Sequence, residues 1–201
     1  MAQITEQSIK ASKDACNEIL GRLKLIEDAI MLFHFLGHEL DRKIREAHKH
    51  DLPLQEERLR YIVTSYAFIQ TAAILDCNGM FSLHVRKDKG EYCLSKSNFS
   101  KLFPVLDEET KNEVLEKTNL VLQKHKRTIE TVFKTRHEKI AHIGRITYKL
   151  GKTEDYSWYI PSSLIPTSFR YKRLLELSRD LDDALCWPIG SYLDRFFGNI
   201  V

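Results

Sequence analysis

Apolar residues recur at helical spacing along most of this 201-residue chain. Over residues 4–48 they stand mostly three, four or seven positions apart, from Ile9 to Ile44, without a proline. Residues at these spacings share one face of a helix, so the pattern predicts one bent helix or two helices joined near Gly21. The stretch His48-Lys49-His50-Asp51-Leu52-Pro53 should end this region, because the residue before a proline avoids helical angles.

A second helix is predicted from about Gln55 to Asp76, where the apolar spacing of three and four resumes. Asn78-Gly79 follows it and is typical of a helix end. The next segment, Met80 to Leu94, lacks helical spacing and is rich in Lys and Arg. We therefore expect an irregular basic arm there.

The capping residues of two later helices can be identified from the sequence. Ser95 or Ser97 should begin a short helix, and Asp107 should begin a longer one, since Ser and Asp side chains accept hydrogen bonds from the first free N–H groups. The apolar period after Asp107 continues to Gly144, a predicted C-terminal cap, with a break near Lys124-Arg127. Apart from that break, this part of the chain is predicted to be helical.

The C-terminal part contains one long loop and one long helix. Residues 147–169 hold most of the turn-forming residues and are predicted to form a surface loop. From about Ser168 to Phe197 the helical period returns, and Pro188 should kink that helix. The chain is thus predicted to be a single all-α domain over residues 1–201, a bundle of about five helices with one long loop in its C-terminal half.

Composition narrows the class of protein further. The chain is 43% hydrophobic and contains no apolar run that approaches the roughly 18 residues of a membrane span. The N-terminus has no apolar segment typical of a signal peptide, so we expect a cytoplasmic protein that does not contact a membrane. The four cysteines form no CxxC pair, which argues for reduced thiols and against a zinc site, and no cofactor is predicted. They are Cys16, Cys77, Cys93 and Cys186.

Positive charge is concentrated in one window of the chain. Residues 124–152 contain nine Lys or Arg and two Glu, a balance of +7 in a chain whose net charge is +3. Such a concentration favours a polyanionic partner, although a solvated basic helix face is the plainer alternative.

The most chemically capable residues lie inside this window, in the run from Arg136 to His142. A histidine can exchange protons near neutral pH, and a guanidinium can hold a phosphate by two hydrogen bonds. These two groups suffice for metal-independent RNA cleavage, in which the RNA's own 2′-hydroxyl is the nucleophile. In a helix the two side chains would not share one narrow stripe, so a second copy of the chain could be needed to complete the site.

The run Arg136-His137-Glu138-Lys139-Ile140-Ala141-His142 resembles the R-x(4–6)-H motif of the HEPN superfamily (higher eukaryotes and prokaryotes nucleotide-binding). The tail Ile140-Ala141-His142-Ile143 is similar to that of abortive-infection members of the AbiU type. The helix end at Ile74-Leu75-Asp76, the basic arm after it and the late C-terminal helix also resemble that group, so the similarity covers most of the chain.

The resemblance implies an α-helical homodimer that places two motifs in a shared cleft and cuts RNA without a metal, in phage defence or in a toxin–antitoxin system. Arg136 and His142 would be catalytic and His137 would assist them. The neighbouring charged residues are predicted to contact the substrate: Lys134, Glu138, Lys139 and Arg145. Some members of the family bind nucleotides, nucleic acids or an antitoxin partner without cleaving, and that alternative stays open.

Other histidines in the chain also stand at spacings that occur in known motifs. Arg42 to His48 and Arg45 to His50 satisfy the same spacing, but Lys43 and Glu46 follow those arginines, where the family has Asn, Asp or His. His34 and His38 stand four apart without the glutamate of a zinc-binding H-E-x-x-H pattern, so we interpret them as core or dimer-interface residues.

Overall fold

A computed structural model describes residues 4–46, 54–76, 81–88, 90–135 and 168–198. In these ranges the protein is mostly helical, which confirms the predicted all-α class. The elements in chain order are α1 (Glu6–Glu46), α2 (Leu54–Leu75), β1 (Arg86–Asp88), β2 (Glu91–Cys93), α3 (Lys96–Leu102), α4 (Glu108–Lys124), α5 (Lys126–Thr135), α6 (Ser168–Leu181), a π-helical segment (Asp182–Cys186) and α7 (Trp187–Phe197).

The first two helices form the largest contact surface of the bundle. Of the two alternatives for residues 4–48, the structure has one helix that runs through Gly21. A hydrogen bond from Arg22 Nη1 to Gln70 Oε1, 2.9 Å long, fixes the level at which α1 and α2 lie side by side. Their inner faces and the inner faces of α4 to α7 share one hydrophobic core, in which the most buried side chains include Ile19, Ile26, Phe68, Leu75, Leu122, Ile129 and Leu185.

The sequence pattern predicts that the basic arm is irregular, but part of it forms regular structure. Residues 86–88 and 91–93 pair as a short antiparallel hairpin in which Arg86 lies opposite Cys93. Gly90 lies in the turn with φ of +87°, a backbone conformation that glycine adopts at little steric cost. Before the hairpin, the N–H groups of Leu83 and Val85 donate to the Ile74 and Leu75 carbonyls at 2.7 and 2.9 Å. They satisfy two carbonyls that the end of α2 leaves without helical partners.

Local capping accounts for the starts of α3 and α4. Ser95, and not Ser97, caps α3: its Oγ accepts from the Asn98 N–H at 3.2 Å. Asp107 caps α4 and accepts from the Thr110 N–H at 2.7 Å, as predicted. This hydrogen bond holds the pKa of Asp107 below its ordinary value. The predicted break near Lys124-Arg127 is also present, because α4 and α5 meet at His125.

The C-terminal helix changes its hydrogen-bonding pattern close to the predicted kink. The N–H of Trp187 donates to the carbonyl of Asp182, five residues earlier, which is the π-helical pattern. Pro188 follows directly and has no N–H to offer the carbonyl four residues before it. The π segment thus lies where a regular α-helix would lose a hydrogen bond.

Two further predictions concern membrane-spanning segments and the long loop in the C-terminal half. Among the described helices, none has both the length and the apolar stretch needed to cross a membrane. Residues 147–167 of the predicted loop lie outside the described ranges, and Ser168 already begins α6.

Candidate functional site

The predicted catalytic residues follow directly after the last described residue of α5. Arg136, His137 and His142 lie outside the described residues. So do three of the predicted substrate-binding residues, Glu138, Lys139 and Arg145. The fourth, Lys134, is exposed in the last turn of α5. Helix α5, which ends at Thr135, is therefore the described element that leads into the motif.

Helix α5 is held firmly by its apolar face. Ile129 and Val132 are fully buried, and the helix contacts α2, α4 and α6. On the opposite side Arg127 and Lys134 are exposed to solvent. The helix is strongly amphipathic, so its core contacts fix which cations of the basic window face outward.

The hairpin lies against α5 through an ion pair and aromatic contacts. Lys87 of β1 places its Nζ 3.0 Å from Glu130 Oε1 on α5. The same ammonium lies 5.5 Å from the ring centre of Tyr92, and the Tyr92 ring lies 6.0 Å from that of Phe133. The basic arm and the helix that precedes the motif thus form one continuous surface.

The ion pair between Lys87 and Glu130 favours the charged form of both side chains. The hydrogen bond from Lys87 lowers the pKa of Glu130, and the same bond raises the pKa of Lys87. Burial raises the pKa of the Tyr92 hydroxyl. Both charged side chains are about half exposed, so solvent screens the attraction and the pair orients the hairpin more than it stabilises the fold.

A second polar cluster fastens the junction between α4 and α5. His125 is 6% exposed, and its Nε2 lies 2.6 Å from Asp180 Oδ2 on α6. The Nζ of Lys124 donates to the same oxygen at 2.6 Å. Burial alone would raise the pKa of Asp180, but the hydrogen bonds from Lys124 and His125 hold it below its ordinary value. A carboxylate only accepts hydrogen bonds, so the imidazole must carry its proton on Nε2.

The sequence does not predict this cluster of Lys124, His125 and Asp180. His125 and Asp180 are separated by 55 residues, and neither belongs to a recognisable motif. The break between α4 and α5 was the one local signal that pointed to His125. Because the imidazole is buried and bound to Asp180, we assign it a positioning role at the start of α5.

His34 and His38 do not lie in the core. Both are exposed on α1, which excludes the core alternative and leaves the interface alternative untested. Within the described ranges, no three His, Cys, Asp or Glu side chains are grouped closely enough to hold a metal ion.

Comparisons with protein-family models, with curated proteins and with solved structures found no match to this chain.

Proposed function

We propose that the protein is a metal-independent endoribonuclease of the HEPN type, which acts as a homodimer in phage defence or as a toxin. The observation that carries this proposal is the motif from Arg136 and His137 to His142. It follows α5 in the chain and lies in residues 124–152, which have a net charge of +7. The all-α architecture agrees with the class that the motif implies.

Each residue of the motif has a chemical task in this proposal. Arg136 binds the scissile phosphate and stabilises the charge that develops on its oxygens. His142 transfers a proton during attack of the RNA 2′-hydroxyl on the adjacent phosphorus, and His137 assists binding or proton transfer. The P–O5′ bond breaks, which leaves a 2′,3′-cyclic phosphate on one fragment and a 5′-hydroxyl on the other.

The described surface of the hairpin and α5, which precedes the motif in the chain, supports an RNA substrate. Arg86 of the hairpin and Arg127 and Lys134 of α5 are exposed, and the bond between Lys87 and Glu130 joins their two elements. Phosphate groups bind such cations largely without regard to base sequence. In the proposal this surface holds the backbone of the RNA, and Lys139, Arg145 and Glu138 contact it near the scissile bond.

The test is incubation of the purified protein with total RNA or tRNA in the presence of EDTA. We expect cleavage by the wild type, 2′,3′-cyclic phosphate ends, and loss of both in Arg136→Ala and His142→Ala. A matched control is the pair Arg42→Ala and His48→Ala, which removes an arginine and a histidine at the same spacing from the first helical region. The control pair should cleave like the wild type.

The outcomes separate the proposal from its alternative. Cleavage that persists in His142→Ala would refute the assigned roles, and cleavage that EDTA abolishes would refute the metal-independent mechanism. Binding of RNA, a nucleotide or an antitoxin without cleavage would favour a non-catalytic HEPN module.

A further inference from the structure

Two cysteines that are distant in the sequence meet in the core, where α1 packs against the C-terminal helices. Cys16 is 5% exposed and Cys186 is 3% exposed, and both thiols are free. The Sγ of Cys16 donates to the carbonyl oxygen of Cys186 at 3.6 Å. Because a carbonyl oxygen lies about 2.4 Å from its own Cα, the Cys16 sulfur lies within about 6 Å of the Cys186 Cα. The Cys186 side chain is therefore within reach of that sulfur.

Two hydrogen bonds, one on each side of the cysteines, fix the level at which these helices meet. The Nζ of Lys13 donates to the carbonyl of Gly198 at 2.6 Å. The Oγ of Ser178 donates to the carbonyl of Leu23 at 3.1 Å. Cys16 lies between Lys13 and Leu23 on α1, and residue 186 lies between residues 178 and 198. The fold thus holds the two thiols at the same level.

The surroundings of the two thiols make Cys16 the more readily ionised one. The Cys186 thiol and the Gly190 N–H form hydrogen bonds to the Cys16 sulfur and lower the pKa of Cys16. They outweigh burial and the charges of Asp182 and Asp194, which act in the opposite direction. The interaction with Cys16, together with burial, raises the pKa of Cys186. Since the thiolate is the reactive form of cysteine, Cys16 should react first.

Gly190 leaves open space next to the two thiols. A Cβ at this position would meet no heavy atom of the described residues within 4 Å, apart from its chain neighbours and its own helix backbone. Gly190 is itself only half-buried, and its N–H faces the Cys16 sulfur. A small oxidant therefore has a short route from solvent to this sulfur.

We propose that Cys16 and Cys186 form a reversible disulfide in the presence of a hydroperoxide, which links α1 to the start of α7. The Cys16 thiolate attacks one peroxide oxygen, the O–O bond breaks, and Cys16 becomes a sulfenic acid as hydroxide leaves. The Cys186 thiol then attacks this sulfur. The S–S bond forms, the S–OH bond breaks, and water leaves with the Cys186 proton. In total the two thiols give two electrons to one hydrogen peroxide, which becomes two waters.

The link should stabilise the fold, because Cys16 and Cys186 are 170 positions apart in the chain. A covalent bond across such a long loop removes much of the conformational entropy of the unfolded state. We expect the melting temperature to rise by roughly 5–15 °C on oxidation and to return to its original value after dithiothreitol.

The test is treatment of the folded, full-length chain with hydrogen peroxide, without reference to RNA cleavage. Free thiols are then alkylated in denaturant, and the peptides are mapped by mass spectrometry without reduction. We expect linked peptides that contain Cys16 and Cys186, and recovery of both thiols after dithiothreitol. The matched control is Cys77→Ser/Cys93→Ser, which removes the other two cysteines and should form the same link. Cys16→Ser should not form it.

Three results would overturn the proposal. The first is a folded wild type in which Cys16 and Cys186 remain free while Cys77 or Cys93 is oxidised. The second is oxidation of Cys16 to a sulfinic acid without the link. The third is a link that forms no faster in the folded protein than in urea, since the fold would then not favour this pair. The peptide map of wild type and Cys77→Ser/Cys93→Ser provides the test even if Cys16→Ser does not fold.

Discussion

Asp180→Asn tests whether the cluster at the α4–α5 junction stabilises the bundle. The substitution keeps the size of the side chain but replaces a carboxylate that accepts from both His125 and Lys124 with a neutral amide. His125 is buried, so it would keep its polar ring in the interior with a weaker acceptor. The start of α5 should then be held less firmly.

The magnitude follows from the geometry of the two bonds. A hydrogen bond to a charged group contributes about 1.5–3 kcal/mol, but an exposed partner loses most of that to solvent. Lys124 is 65% exposed and Asp180 is 28% exposed, so the bond to buried His125 should dominate. We expect a loss of about 1–2 kcal/mol at pH 7, which corresponds to about 3–6 °C in the melting temperature of a domain of this size.

The pH dependence of this loss provides a stricter test. The pKa of Asp180 is lower in the folded protein than its ordinary value, so its charge stabilises the fold above the unfolded pKa, about 3.9. That stabilisation disappears as the pH falls through the lower folded value. The free energies of unfolding of wild type and Asp180→Asn in denaturant should therefore differ at pH 7, and the difference should shrink as the pH falls below the unfolded pKa.

The control is Lys124→Met, which removes the exposed donor and should cost less than Asp180→Asn. Equal stability of wild type and Asp180→Asn at pH 7 would refute the reasoning. A difference that stays constant down to pH 3 would show that packing, and not the charge, is responsible.

Three further predictions concern α5, α4 and the hairpin. Ile129→Ala empties a fully buried position and should lower the free energy of unfolding by about 2–5 kcal/mol in denaturant titration. Asp107→Ala removes the cap of α4 and should cost about 1 kcal/mol at pH 7, with a smaller cost once the pH falls through the lowered pKa of the Asp107 carboxylate. If the proposed RNA surface is right, Arg86→Ala should weaken RNA binding and reduce the slope of log K against log salt by about 0.7, whereas Lys101→Ala on α3 should leave the slope unchanged.

Features that depend on neighbouring residues were predictable from the sequence. The helical period of residues 4–48, the cap at Asp107 and the break at His125 follow from side chains that interact within about four positions, but the sequence left open whether that period forms one helix or two. The candidate motif is equally local, since it consists of residues 136–142, and its roles stay a prediction because those residues lie outside the described ranges.

The hairpin escaped prediction because its strands are three residues long, too short for an alternating pattern to emerge. Its position depends on two bonds to the end of α2 and on the contact of Lys87 with Glu130, which lie 9 to 43 residues apart along the chain. No local rule specifies such pairs.

By itself the sequence determined the helical class, the main helix boundaries and the concentration of positive charge around a candidate Arg-His motif. Only the tertiary structure decided that His125 and Lys124 share Asp180, that the basic hairpin lies on α5, and that Cys16 lies against Cys186. The physical reason is that helix formation and capping use groups a few residues apart, whereas burial and ion pairing depend on which distant segments the folded chain brings into contact.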